Sequence, residues 1–205
     1  MSRASARVAV FDIGKVLLDW DPRKLYRKIF DDDARMEAFL AEVCTMDWIL
    51  ELDRGLPFAE AIPARIKLFP HYEREIRAFD ERWMETATGV IDGSMDLLRS
   101  LQAKGIPNYA ITNFSHEKFE DARLVYPFLD SFDGIVISGR EKLLKPDAAI
   151  YTLFLDRFGL KANECLFIDD SLKNAEGARA VGMHAHHFTD PQTLRTELQR
   201  HGFPV

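Results

Sequence analysis

The segment Val8-Ala9-Val10-Phe11-Asp12-Ile13-Gly14-Lys15-Val16 decides the fold. A short, unbroken apolar run ended by a carboxylate is the pattern of a strand covered on both faces, as in a parallel sheet. Further apolar runs occupy residues 109–111, 134–137, 165–168 and 184–188, and all but the last are likewise continuous. Helical patterns lie between them, over 94–104, 116–125, 147–158 and 174–181. The alternation predicts an α/β fold with a Rossmann-like parallel sheet.

The first two runs are separated by roughly a hundred residues, where one crossover needs only about a dozen. The excess, residues 22–87, is rich in helix formers, with amphipathic stretches at 24–30, 34–43, 58–68 and 72–86. These are punctuated by Asp31-Asp32-Asp33, Gly55-Leu56-Pro57 and Phe69-Pro70. The expected organisation is a core made of residues 1–21 and 88–205, with a helical cap over 22–87 inserted into it.

Composition narrows the function. The 205 residues carry 27 Lys+Arg against 33 Asp+Glu, a formal charge of −6, with no basic block to bind nucleic acid or an anionic membrane. Apolar residues make up 47%, enough for a packed core and against disorder. Cys44 and Cys165 stand far apart, without the spacing of a zinc site or a disulfide framework. The apolar run near the N-terminus is too short for a signal sequence, and no stretch approaches a membrane span. A cytoplasmic protein acting on a small molecule is expected; oligomeric state is not legible.

Ligands of open parallel sheets bind beyond the carboxyl ends of the strands. There the chain delivers Asp12 and Gly14, then Thr112-Asn113, then Lys145-Pro146, then Asp169-Asp170. Any one of these is an ordinary turn or N-cap residue. Together they put three carboxylates, a hydroxyl, an amide and an ammonium on one edge. Converging carboxylates stay ionised with a cation between them, and an all-oxygen set suits Mg²⁺. A metal that offsets substrate charge lets an aspartate attack phosphorus while Thr112 and Lys145 hold the phosphoryl oxygens.

Asp12-x-x-x-Val16, Thr112-Asn113, Lys145-Pro146-Asp147 and Phe167-Ile168-Asp169-Asp170-Ser171-x-x-Asn174-x-x-Gly177-Ala178, in this order and with a helical insertion after the first, resemble the haloacid dehalogenase superfamily. The resemblance covers essentially the whole chain. It implies Asp12 as nucleophile, Lys145 as the lysine steadying nucleophile and phosphate, and Thr112 and Asn113 as substrate-binding. It further implies Mg²⁺ held by Asp12, the Gly14 carbonyl and Asp170, with Asp169 in support. Pro146 fits the first position of a helix, with Asp147 in its positively polarised first turn.

One departure matters. Phosphatases of the superfamily usually carry a second aspartate two residues after the nucleophile as general acid and base, and here that position is Gly14. Three readings are open. The chain is a phosphatase that favours good leaving groups or draws its proton from water or a cap residue; or a 2-haloacid dehalogenase, whose halide leaves unprotonated; or a weakly catalytic binding protein. Dehalogenases of the superfamily usually carry small hydroxyl residues where this chain has Asp169-Asp170, so the pair favours the Mg²⁺-dependent phosphatase. Asp-x-Gly followed by Val16-Leu17-Leu18-Asp19-Trp20 is similar to a sugar-phosphate phosphatase subgroup.

Several residues have two readings. His116 is a helix-start residue or a substitute proton donor. Lys15 adds charge near the phosphate or points to solvent. Trp20, Trp48 and Trp83 are core aromatics, with Trp20 the one best placed to face a cleft. Arg54, within Asp53-Arg54-Gly55, reads a polar substrate or caps a helix in solvent. Asn174 lies one turn past Asp170 and can reach back toward the site. His184 and His186 share a strand face but have no third ligand at a supporting spacing.

Overall fold

The computed structural model describes residues 6–205. Residues 1–5, part of the N-terminal segment weighed for a signal sequence, lie outside the described residues. The strands are β1 (Val8–Phe11), β2 (Leu18–Trp20), β3 (Ala87–Val90), β4 (Asn108–Thr112), β5 (Gly134–Ile137), β6 (Cys165–Asp169) and β7 (His184–His187). Five of them form a sheet in the order β5-β4-β1-β6-β7, every pair parallel. The predicted α/β fold is the observed one, with the strand that leads to Asp12 at its centre.

Period-two alternation divides β1 between two apolar layers. Val8 and Val10 join Ile111, Phe154 and Phe167 on one face, while Ala9 and Phe11 join Leu98, Leu166 and Leu194 on the other. All four β1 residues are buried. Each fully buried large apolar side chain contributes about 1.5–3 kcal/mol. This central strand is therefore held rigidly, and so is the backbone that carries Asp12.

Residues 22–87 hold α1 (Pro22–Tyr26), α2 (Asp33–Glu42), α3 (Met46–Asp53), α4 (Phe58–Leu68) and α5 (Glu73–Glu81). Asp21, Asp32 and Thr45 cap the first three, each accepting a backbone N–H of the first turn. Aromatic pairs such as Tyr26–Phe39 (4.8 Å between ring centres) and Trp48–Phe79 (5.6 Å) fill the space between these helices. The same apolar cluster runs on into Ala110, Phe114, Phe119 and Ile137 of the sheet domain, so the insertion is packed down on the sheet.

Later come α6 (Asp92–Ala103), α7 (His116–Val125), α8 (Ser138–Glu141), α9 (Ala148–Phe158), α10 (Leu172–Ala180) and α11 (Pro191–Arg200). Among the described residues no helix is long and apolar enough to cross a membrane.

Four features depart from the sequence reading. The stretch 72–86 is broken after Glu81, and Trp83–Thr86 forms a 3₁₀ turn leading into β3. The first amphipathic stretch starts earlier, and its helix ends at Tyr26. α3, α8 and α11 are further helices. Finally, β2 and β3 pair antiparallel at the neck of the insertion, Leu18 opposite Val90 and Trp20 opposite Ala87. Local periodicity carries no trace of a pairing between strands so far apart in sequence.

Candidate active site

The register of the central strands builds the site. Phe11 lies level with Ile168 on β6 and Ala110 on β4, so the next residues along, Asp12, Asp169 and Ile111 with Thr112 beyond, emerge at one sheet edge. Asp12 keeps strand pairing through its N–H to the Ile168 carbonyl (2.8 Å), and its Oδ1 accepts the Ile13 N–H (2.7 Å). Lys145 arrives from the loop before α9. Its fully buried ammonium lies 2.9 Å from Asp12 Oδ1 and 2.6 Å from Asp169 Oδ2. Asp170, half-buried, completes a group in which Asp12, Asp169 and Asp170 offer oxygens all within 4.8 Å of one another.

Three carboxylates face one ammonium, and the protein does not balance that charge unaided. Burial, with the neighbouring charges of Asp169 and Asp170, pushes the Asp12 carboxyl up to about 7 despite Lys145. Burial followed by Asp169 likewise raises Asp170, against the charges of Lys15 and Lys145. Burial opposes the Lys145 ammonium, but Asp12 and Asp169 outweigh it and hold the proton more firmly than usual. An all-oxygen cluster with excess negative charge fits a hard divalent cation.

Asp169 is engaged on both oxygens: Lys145 donates to Oδ2, the Ser171 N–H to Oδ1 (2.8 Å), and Asn174 Nδ2 reaches both (3.0 and 3.2 Å). Asn174 thus reaches back from α10 as its spacing allows. The Asn113 side chain, which lines the cavity over this edge, holds the main chain of Lys145 (3.1 Å donated, 2.9 Å accepted). Thr112 ends β4, buried at 1% exposure. Helix α9 begins at Ala148 with Asp147 as its N-cap, so Pro146 is not the first helical residue. The Asp147 N–H instead closes a turn onto the Leu144 carbonyl (2.9 Å).

A cavity of about 420 Å³ opens over this edge, between sheet and insertion. Asp12, Gly14, Asn113, Lys145, Asp170 and Asn174 line one end, and Trp20, Ile49, Leu52, Phe58, Phe79 and Trp83 contribute apolar wall. Lys15, in the left-handed region at φ 59°, also lines it, with its ammonium 5.9 Å from the Trp20 ring centre. The Trp20 indole N–H is buried without a hydrogen-bond partner.

Arg54 and His116 are among the candidates that fall outside the cavity lining, as Thr112 and Asp169 also do. Arg54 caps α3 in solvent and pairs with Glu51 at 3.7 Å. His116 is an exposed α7 residue whose Nδ1 accepts a hydrogen bond from Arg140 Nε (3.1 Å). Among the cavity residues the sequence did not single out is Asp53, the neighbour of Arg54. Burial pushes its carboxyl up to about 7, although it accepts the Ser115 N–H and feels the Lys145 charge. Its sequence signal was its place in the Asp53-Arg54-Gly55 segment, where the arginine drew the functional reading.

A parallel sheet whose strand ends gather carboxylates and a buried lysine beneath an inserted helical layer defines a class of capped, Rossmann-like α/β enzymes. Within that class the chain belongs to the haloacid dehalogenase-like hydrolase family, whose family model matches residues 6–182. It is 30% identical over 197 residues to a sesquiterpene phosphatase of Aspergillus oryzae, covering 95% of each chain. It is 28% identical to the phosphoglycolate phosphatase of Escherichia coli over 137 residues, 64% of this chain and 49% of that one. Its fold is similar to that of a haloacid dehalogenase family enzyme from Bacteroides thetaiotaomicron solved with magnesium and inorganic phosphate. That likeness has a TM-score of 0.73 at 20% identity and covers 90% of this chain and 95% of the other.

Proposed function

We infer that the chain is a Mg²⁺-dependent phosphomonoester hydrolase acting through an aspartyl-phosphate on Asp12. The observation that carries this reading is the convergence of Asp12, Asp169 and Asp170 around one buried lysine. Asp12, Asp170 and the Gly14 carbonyl would hold the metal. Asp169, with its oxygens already accepting Lys145 and Asn174, supports from behind. Bound there, Mg²⁺ neutralises phosphoryl charge and acts as a Lewis acid toward a phosphoryl oxygen. Lys145 fixes the rotamer of Asp12 and supplies positive charge where the phosphoryl oxygens arrive. Thr112 and Lys145 bind those oxygens, and Asn113 serves by holding Lys145 in place.

The retained carboxylate pair speaks against the haloacid reading, because an attack on carbon gains nothing from a second and third buried negative charge beside the nucleophile. The phosphatase relatives support the same choice. Residues 22–87 act as the cap that supplies the apolar wall. That wall supports a substrate whose body is apolar rather than a polyol, in keeping with the sesquiterpene phosphatase relative. Two buried free thiols, Cys44 and Cys165, support a reducing, cytoplasmic setting.

The test is phosphate release from p-nitrophenyl phosphate, isoprenyl phosphates and sugar phosphates with Mg²⁺ or EDTA, beside chloride release from 2-chloropropionate. Mg²⁺-dependent release that favours apolar bodies is expected. Metal-independent chloride release without phosphatase activity would overturn the reading.

A further inference from the structure

Resting on the phosphatase reading, we propose that Asp53 of the insertion supplies and retrieves the proton that the chain lacks at Gly14, as general acid toward the leaving oxygen and general base toward the attacking water. The cavity over Asp12 is lined by three carboxyl groups, those of Asp12, Asp53 and Asp170. Two are taken by nucleophile and metal, and Asp53 is left over. At Gly14 a Cβ would meet no atom within 4 Å, so space stands open where the missing side chain would project.

The placement of Asp53 is built rather than incidental. It is the last residue of α3, and its carbonyl accepts the Ser138 hydroxyl at 2.6 Å from the sheet domain. Two residues on, Gly55 at φ 102° presses so closely on Gly139 that a Cβ would lie 2.6 Å from the Gly139 carbonyl oxygen. The carboxylate accepts the Ser115 N–H at the start of α7. Insertion and core thus clamp this one acid from both sides.

Its environment suits a proton carrier. Part of the residue remains accessible, yet the carboxyl is drawn far enough out of water that burial holds it at about 7. The negative end of the α3 dipole favours the protonated form too. Lys145 is the cation that acts on it, in the opposite direction. Charges on the packed elements are committed elsewhere: Arg140 to Glu120 and His116, Glu141 to Arg157, Lys118 to Asp80, Arg54 to Glu51. Lys15 and Lys173 also line the cavity.

The chemistry balances. Asp12 attacks phosphorus as the P–O bond to the leaving group breaks, and the Asp53 proton passes to the departing oxygen, releasing an alcohol. Asp53, now a carboxylate, takes a proton from water as that water attacks phosphorus. The Asp12–phosphorus bond breaks, phosphate leaves, and Asp53 is protonated again.

The test uses the full chain loaded with Mg²⁺ and measures kcat/KM, which reports the steps up to leaving-group departure. In the wild type, aryl and alkyl phosphates should react with a shallow dependence on leaving-group pKa, with a loss of alkyl turnover above about pH 7. Asp53→Asn should keep kcat/KM for p-nitrophenyl phosphate within a few-fold and lower it for alkyl phosphates about 10²–10⁴-fold, the usual worth of general acid help. It should abolish the limb near pH 7 and show a burst of p-nitrophenol, because the phospho-enzyme has lost its base. Adding Gly14→Asp should restore alkyl turnover.

An equal loss on aryl and alkyl substrates, or no loss, overturns the proposal. So does a steep leaving-group dependence in the wild type, a result that needs no variant to fold. Absence of any phosphate release by the wild type would instead defeat the phosphatase reading itself.

Discussion

Asn113 and Lys145 clasp each other across the site: the Asn113 amide donates to the Lys145 carbonyl at 3.1 Å, and its oxygen accepts the Lys145 N–H at 2.9 Å. The clasp ties the loop before α9 to the end of β4. It sets where the Lys145 ammonium emerges between Asp12 and Asp169. Asn113, itself at the cavity wall, thus acts on the main chain of the lysine that pairs with Asp12.

Asn113→Ala removes both bonds, each worth about 0.5–1.5 kcal/mol. The expected result is a loss of about 1–3 kcal/mol in stability by urea denaturation and a fall of about 10–100-fold in kcat/KM for p-nitrophenyl phosphate. The fall should exceed that produced by Asn174→Ala, whose partner Asp169 keeps Lys145 and the Ser171 N–H.

The Asp12 carboxyl is raised to about 7 in the folded protein against 3.8 for an ordinary aspartate. The folded state therefore binds the proton more tightly than the unfolded state does. The associated stability is present below about pH 4 and is lost as pH rises through about 7. In EDTA, Asp12→Asn should raise the thermal midpoint above wild type at about pH 8 and not at about pH 4. Excess Mg²⁺ should shrink the gap by stabilising wild type through binding. Equal midpoints at both pH values would contradict this.

Gly55→Ala meets two obstacles at once, a backbone at φ 102° and a carbonyl oxygen 2.6 Å from the new Cβ. A destabilisation of about 1–3 kcal/mol is expected from the forced shift. Because the same seam holds Asp53, alkyl phosphate turnover should fall more than p-nitrophenyl phosphate turnover when the two are measured side by side.

Trp20, on the short β2 strand, presents an aromatic wall to the cavity beside Lys15. Trp20→Ala should raise KM for an isoprenyl phosphate by about tenfold, the scale of about 1.4 kcal/mol of lost apolar contact. Inhibition by inorganic phosphate should change far less, since phosphate has no apolar body to bury against the ring.

The sequence by itself determined the five strands of the parallel sheet, the helices that cross between them and the chemistry of the sheet edge. Continuous apolar runs such as Val8–Phe11 specify buried strands through contacts of nearly every residue with both layers, and in a parallel sheet the residues just past each run must emerge at the same edge. Asp12, Lys145, Asp169 and Asp170 could thus be grouped before any distance was known, and Asn174 came with them through one helical turn. The tertiary structure decided whatever depends on how α3 and the sheet domain meet. Whether Asp53 or Arg54 enters the cavity is a matter of which side of a helix end is pressed against Ser138 and Gly139, more than eighty residues away. The β2–β3 neck and the Asn113–Lys145 clasp have the same character. Local periodicity reports which face of an element is apolar, but hydrogen bonds between distant segments form only after docking has brought their partners together, so they leave no pattern in a single sequence.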